Sequence, residues 1–286
     1  MNPVRFGLVG TDSPHAVSFT KLFADGTVAG GQVVAAWSGE PRDDFPLSSR
    51  GVANARTLAE LGVALLDTPE QVAEQADVIL IVEADARTHA GLFHRVAPAG
   101  KPVYVDTRFA MTSDEARSML ETAGTLVLAG SPKRFTPEFQ RCLRAEPVLT
   151  ADLTGPLPTQ PGHPGLSWYG VHLVDLAVAA LGPGCERVQL HDDVLTLTWP
   201  DGRQARLSGP AEWEPVTRGR LHSATGEQSF ELVAGEPMLA GLLTALVAAA
   251  HDHHPTVPAP EILDIVAIIE AGNRCLAGAG PQPVRP

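Results

Sequence analysis

Through the first 130 residues, short runs of consecutive apolar side chains alternate with amphipathic stretches. Residues 4–9 form one such run and stop at Gly10, the pattern of a buried strand that ends in a tight turn. Residues 14–23 carry helical periodicity, residues 32–37 are β-rich, and a short helix is expected over residues 69–75. The run Asp77-Val78-Ile79-Leu80-Ile81-Val82 is apolar after its first position, so this strand is expected to be covered on both faces. A helix over 88–97 and a strand over 102–105 come next. A helix over 113–122, with Ser113 as its N-cap and Gly124 beyond its end, and a strand over 125–129 complete the series. Apolar strands separated by helices predict a parallel sheet with helices on both faces.

The texture changes after about residue 135. Residues 155–165 are rich in Pro and Gly and read as an exposed loop, and a strongly apolar helix is expected over 168–181. Short strand-like runs follow at 186–190, 194–199, 204–208 and 229–233, joined by turns such as Asp201-Gly202. Helices over 237–252 and 260–276 close the pattern, and residues 278–286 are expected to be loose. The predicted fold class is α/β. A parallel-sheet domain over residues 1–130 precedes an α+β domain over 131–286 with a mostly antiparallel, open sheet.

Composition supports two domains. The 286 residues are 44% hydrophobic and 19% charged, enough to bury substantial cores without disulfide or metal staples. The three cysteines, Cys142, Cys185 and Cys275, form no Cys-x-x-Cys pair, so a reduced cytoplasmic protein is expected. The opening residues run directly into the first strand and lack the features of a secretory signal. No apolar run reaches the roughly 20 residues of a membrane span. A net charge of −12 repels phosphate backbones, which argues against nucleic acid or an anionic membrane as the main partner.

Candidate chemistry begins where the first strand ends. A helix N-terminus exposes N–H groups and partial positive charge that favour a phosphate. A dinucleotide-binding turn of the G-x-G-x-x-G type uses its second glycine to let a pyrophosphate approach the backbone. Here the turn reads Gly10-Thr11-Asp12-Ser13-Pro14-His15-Ala16, so only the first glycine is present and Asp12 stands at the second. At the end of the second strand, where an acidic residue binds ribose hydroxyls, the chain reads Trp37-Ser38-Gly39-Glu40-Pro41-Arg42. Ser38 with Arg42 nearby leans toward a 2′-phosphate, and a solvated loop is the plain alternative. His251-Asp252-His253-His254 lies at a helix end before Pro255, where protonated histidine suits the helix dipole, and no metal site is expected there.

Several ordered segments carry a resemblance. They are Asp77 to Val82, His89, Ala99-Gly100-Lys101-Pro102-Val103-Tyr104-Val105-Asp106, Ser131-Pro132-Lys133-Arg134-Phe135, and Trp168-Tyr169-Gly170-Val171-His172-Leu173-Val174-Asp175. Together they resemble the Gfo/Idh/MocA family of oxidoreductases, which includes glucose–fructose oxidoreductase and inositol dehydrogenase, up to about Gly184. The resemblance implies a Rossmann-type dinucleotide-binding domain, an NAD or NADP cofactor, a small polyhydroxylated or carbonyl substrate, and a homo-oligomer. It implies cofactor contacts at Gly10, Thr11, Asp12, His15, Ser38, Arg42, Glu83, His89 and Asp106, and substrate contacts at Arg134, Trp168, Tyr169 and Asp175.

The departures from the family pattern are informative. Members usually carry Glu-Lys-Pro or Asp-Lys-Pro after the strand that here ends at Val105, whereas this chain has Asp106-Thr107-Arg108. Thr107 cannot supply a titrating cation; Arg108 can bind an anion but cannot act as a base. Sugar dehydrogenases of the family also place Asp four residues before the catalytic His, where this chain has Trp168. His172 is then the leading candidate to exchange the proton, with Asp175 placed to orient its ring, against a packing role at a domain interface. Lys133, beyond a parallel strand's carboxyl end, could replace the missing lysine or be a solvated loop residue. Cys142 has no evident activating partner. The leading expectation is an NAD(P)-dependent oxidoreductase with a degenerate catalytic set. The alternative is a non-redox Rossmann-fold binding or regulatory protein that has lost the catalytic lysine, supported by Asp12, Ser38, Thr107 and Trp168 together. A structural partner that oligomerises through the open face of its second sheet is a third reading.

Overall fold

The structure, a computed structural model, describes residues 2–122, 124–144 and 146–286. β1 (Val4–Val9) ends at Gly10 and feeds α1 (Pro14–Ala24). Ser13 caps that helix by accepting the His15 N–H at 3.2 Å, and Pro14 pre-sets its first turn. There follow β2 (Gly31–Trp37), α2 (Arg50–Glu60), β3 (Ala64–Leu65), α3 (Pro69–Gln75), β4 (Val78–Ile81), α4 (His89–Val96), β5 (Val103–Val105), α5 (Ser113–Leu120) and β6 (Val127–Leu128). The six strands form one parallel sheet in the order β3-β2-β1-β4-β5-β6, the order of a Rossmann-type sheet. The order reverses between β1 and β4, so their carboxyl ends diverge into a crevice where such sheets bind ligands.

Two details of this sheet differ from the sequence reading. α2 and β3 have no strong apolar pattern, because α2 buries Gly51, Ala55 and Leu58 and β3 is exposed. The N-cap of α5 is Thr112 rather than Ser113. Its hydroxyl accepts the Glu115 N–H at 3.2 Å, and Glu115 Oε2 accepts the Thr112 N–H at 3.2 Å, a reciprocal capping box. Ser113, one residue further on, gives its N–H to Glu270 at 3.0 Å instead.

The chain separates into two compact units. The first comprises the residues up to Ala110, Arg117–Gly130 and Leu239–Val257; the second comprises Met111–Ala116, Ser131–Met238 and Pro258–Pro286. Residues 239–257 therefore group with the parallel sheet although they come late in the chain. Thr256 fastens them there, bonding both the N–H and the carbonyl of Ala129.

The second unit contains α6 (Pro137–Leu143), β7 (Thr150–Thr154), α7 (Gly170–Leu181), β8 (Arg187–His191), β9 (Val194–Thr198), β10 (Gln204–Ser208), β11 (Val216–His222) and β12 (Glu227–Val233). α8 (Glu236–Asp252) bridges the two groupings, and α9 (Ala259–Leu276) and β13 (Gln282–Pro283) end the chain. The sheet runs β12-β11-β7-β10-β9-β8-β13 and is antiparallel except for the β7–β10 pair. Its inward side chains, including Ala151, Leu153, Leu195, Leu197, Ala205 and Leu207, share a core with α7 and α9. β7 and β11 escape the sequence pattern because small or polar residues, such as Ala151, Thr217 and Gly219, take some of their inward positions. The final residues, expected to be loose, pair with β8, and Val284 donates to the Glu186 carbonyl at 2.9 Å. All three cysteines are buried free thiols.

Candidate functional site

The loops at the carboxyl ends of β1, β2 and β4 are tied together by buried hydrogen bonds. Gly10 takes φ +87°, and its N–H reaches the Trp37 carbonyl at 3.0 Å. The Thr11 hydroxyl donates toward the carbonyls of Gly51 at 2.8 Å and Ser38 at 3.1 Å, while Asn54 holds the Thr11 carbonyl at 2.7 Å. Thr11 is thus a brace between β1, β2 and α2. Asp12 is buried and accepts the Ala84 N–H at 2.7 Å, joining the β1 turn to the segment after β4.

Glu83 occupies the space between these loops. A Cβ built on Gly10 would meet Glu83 Cγ at 2.5 Å, and one built on Gly39 would meet Glu83 Oε1 at 2.1 Å. The carboxyl of Glu83 therefore reaches from the end of β4 to the end of β2, the place where an acid receives ribose hydroxyls. Burial and the neighbouring Asp12 carboxylate push Glu83 up to about 10, so it holds its proton at neutral pH. Burial also raises Asp12, against the hydrogen bonds it receives.

A cavity of about 290 Å³ opens beside this pair, lined in part by Trp37, Arg42, Ser48, Glu83, Asp85 and Arg95. The Arg95 guanidinium lies over the Trp37 ring at 5.7 Å. Arg42 is engaged by Asp44 at 3.3 Å and by the buried Asp85 at 3.2 Å. Ser38 turns its hydroxyl toward the adjacent Gly39 carbonyl. His89 is fully buried, with Nδ1 2.7 Å from the Arg108 carbonyl and Nε2 2.8 Å from the Glu83 carbonyl. Both ring nitrogens face backbone, so His89 fastens the strand-end loops and presents no ring nitrogen to a ligand; burial holds its charge down.

At the end of β5, Asp106 meets His15 of α1, Oδ2 to Nδ1 at 2.6 Å. Thr107 donates its N–H and hydroxyl to Asp106 at 3.0 and 3.2 Å and points no cation at the site.

These residues can be tested against a pyridine dinucleotide. The adenosine end fits: Trp37 and Arg95 offer flat faces, and Glu83 supplies a ribose partner. The pyrophosphate end is less favourable. Pro14 has no N–H, the His15 and Ala16 N–H groups already serve the Ser13 cap, and Asp12 adds a buried carboxylate.

The second unit holds its own cluster. The Ser131 hydroxyl and His172 Nδ1 are 2.7 Å apart, and the Tyr169 ring meets His172 edge-on at 5.3 Å. Asp175, expected to orient the His172 ring, instead pairs with Arg134 at 2.8 Å and accepts the Ser131 N–H at 3.2 Å. The Ser131 hydroxyl is placed against the ring at Nδ1. Arg134 is buried and also meets Glu261 at 2.6 Å, so Arg134 and Asp175 brace the start of α6, α7 and α9. Lys133 is buried rather than solvated, with Nζ 2.6 Å from the Thr217 hydroxyl, and burial draws it down to about 8. Trp168 is buried against His163, with ring centroids 5.3 Å apart. The exposed Trp213 donates to the Tyr169 hydroxyl at 2.8 Å.

Ser131, Thr217 and Trp213 were not singled out from sequence. Ser131 lies in a segment that was, but Thr217 and Trp213 sit far along the chain, and nothing in one sequence links them to Lys133 or Tyr169. Among the described residues, no three His, Cys, Asp or Glu side chains converge as metal ligands, and His251 to His254 are exposed. No described helix is long and apolar enough to cross a membrane.

No family model and no curated protein sequence matches the chain. Solved structures share its fold over nearly the whole length. GenD2 from gentamicin A biosynthesis, solved in complex with NAD, superposes with a TM-score of 0.80 at 15% identity, covering 100% of this chain and 97% of its own. The myo-inositol dehydrogenase of Lactobacillus casei, solved with NAD(H) and myo-inositol, gives 0.76 at 14% identity, covering 99% and 97%. The UDP-N-acetylglucosamine 3-dehydrogenase GnnA of Acidithiobacillus ferrooxidans gives 0.73 at 17%, covering 96% and 98%. The Rossmann-type unit followed by a mostly antiparallel sheet is the architecture shared with these structures.

Proposed function

We propose that this chain is an NAD-dependent oxidoreductase that interconverts an alcohol and a carbonyl on a small polyhydroxylated substrate. The observation that carries this reading is the cavity at the switch point of the parallel sheet, with Glu83 standing at the ribose position. The whole-length fold shared with dehydrogenases of inositol and sugar substrates supports it. The sequence leaned toward NADP through Ser38 and Arg42. Here Arg42 is engaged by two carboxylates, which leaves its charge less available to a 2′-phosphate. NAD is therefore the preferred coenzyme.

Trp37, Arg95 and Glu83 would hold its adenosine end, and Asp12 would face its phosphates. When bound, the nicotinamide supplies a site that accepts or gives a hydride. In the second unit, His172 held by Ser131 gives a hydrogen bond to a substrate hydroxyl, Tyr169 and Trp213 form an aromatic wall, and Lys133 supplies a second polar contact. The free thiols fit a reducing, cytoplasmic setting. Copies associate through the open face of the second sheet, which carries paired charges such as Arg218 with Glu231.

A panel of inositols, hexoses and nucleotide sugars, incubated with NAD, tests the reading. Reduction of NAD with a subset is expected. Coenzyme binding without reduction across the panel would favour a non-redox binding protein, the reading that Asp12 and Thr107 support.

A further inference from the structure

Asp106 is 1% exposed at the end of β5, and the hydroxyl of Tyr104 donates to its Oδ1 at 2.9 Å. Thr107 uses the same oxygen, so Oδ2 is left to His15 at 2.6 Å. Burial alone would raise this carboxyl. The facing His15, the charge of Arg108 and the hydrogen bonds outweigh burial and hold it well below the usual carboxylate range. His89, fully buried, is also coupled to it.

An ionised carboxylate only accepts, so the ring proton of neutral His15 sits on Nδ1 and the lone pair on Nε2. Nε2 has no hydrogen-bond partner among the described residues, while the side chain is 20% exposed. Phe19 stacks on the ring with centroids 5.2 Å apart and fixes its plane. The pair stands at the carboxyl edge of the sheet, beside Thr107, which offers no titrating group.

We propose that His15, oriented by Asp106, is the acid–base residue of this chain. The role rests on the oxidoreductase reading above. In the oxidising direction, the substrate O–H bond breaks and its proton passes to Nε2. Oxidised nicotinamide, when bound, would take the hydrogen of the adjacent C–H bond with both its electrons as the oxygen's freed pair closes the C=O bond. The resulting imidazolium faces the Asp106 carboxylate, which stabilises it. In reduction, Nε2 returns the proton. Asp106 is the positioning residue.

The test combines His15→Gln, His15→Ala, Asp106→Asn and, for comparison, His172→Gln. NADH binding is followed by fluorescence, turnover across pH, and the His15 tautomer of the ligand-free wild type by ¹⁵N NMR. His15→Gln is expected to lower kcat by about 10²–10⁴-fold with NADH affinity unchanged. Added imidazole should restore part of the turnover of His15→Ala. The wild-type ring should carry its proton on Nδ1, a preference that Asp106→Asn weakens while lowering kcat. Near-normal kcat in His15→Gln, a loss explained by lost NADH binding, or a wild-type proton on Nε2 would each overturn the role. So would a selective kcat loss in His172→Gln alone, which would move the proton to His172. A wild type that neither binds NADH nor turns over would fail at the earlier step, overturning the oxidoreductase reading itself.

Discussion

At the scale of single residues, the molecule is distinguished by acids and a lysine held where water is scarce. Replacing Asp12 with Gly removes a buried carboxylate facing the expected phosphates and also the clip to Ala84. NADH affinity should rise about tenfold, a gain of about 1.4 kcal/mol, at a stability cost of about 1 kcal/mol for the lost hydrogen bond. Calorimetry and thermal melting measure the two effects separately. Glu83 keeps its proton in the folded state up to about 10, whereas the unfolded chain releases it in the ordinary carboxylate range. Across that window the folded state binds more protons, so this group's contribution to stability falls as pH rises. Glu83→Gln should flatten the fall, and melting temperatures of the two proteins at pH values spanning the window should diverge toward the alkaline end. Lys133, drawn down to about 8 by burial, gives the opposite slope, costing stability below that value. Lys133→Met should raise the melting temperature at neutral pH while lowering kcat/KM; a rise in both would remove Lys133 from the site.

At the scale of elements, braces and caps hold the candidate groups in place. The Arg134–Asp175–Glu261 network joins the segment after β6 to α7 and α9 inside the second unit. Asp175→Ala leaves the buried Arg134 with Glu261 and strands the Ser131 N–H, so it should destabilise by about 1–3 kcal/mol, read by chemical denaturation. Thr112→Ala removes half of a capping box and should cost about 1 kcal/mol. Apart from the exposed β3, the parallel strands and the long helices were legible in the sequence because each buries a continuous or periodic apolar face. α2, β7 and β11 were not, because their buried positions are taken partly by Gly, Ala and Thr. The site was legible only in outline. His172, Lys133, Glu83, His15 and Asp106 were named, but which residues they meet was not. The Ser131–His172, Lys133–Thr217 and His15–Asp106 contacts span 41, 84 and 91 positions of chain, and no local pattern encodes them.

At the scale of the whole molecule, the fold is shared at 14–17% identity over nearly the full chain with the three structures compared. Layer architecture tolerates that divergence because it needs apolar faces and turns in the right order rather than particular side chains. Function does not tolerate it in the same way, since it lives in the few residues at the strand ends. At those strand ends this chain carries Asp12, Thr107 and a Glu83 carboxyl that reaches from the end of β4 to the end of β2. The crevice at the switch point of the parallel sheet is expected to take a pyridine dinucleotide, with NADH preferred over NADPH. Titration of the purified protein with each coenzyme by calorimetry tests it most directly. The account predicts one NADH per chain and weaker binding of NADPH. Absence of heat and of fluorescence change with both coenzymes at millimolar concentration would contradict it.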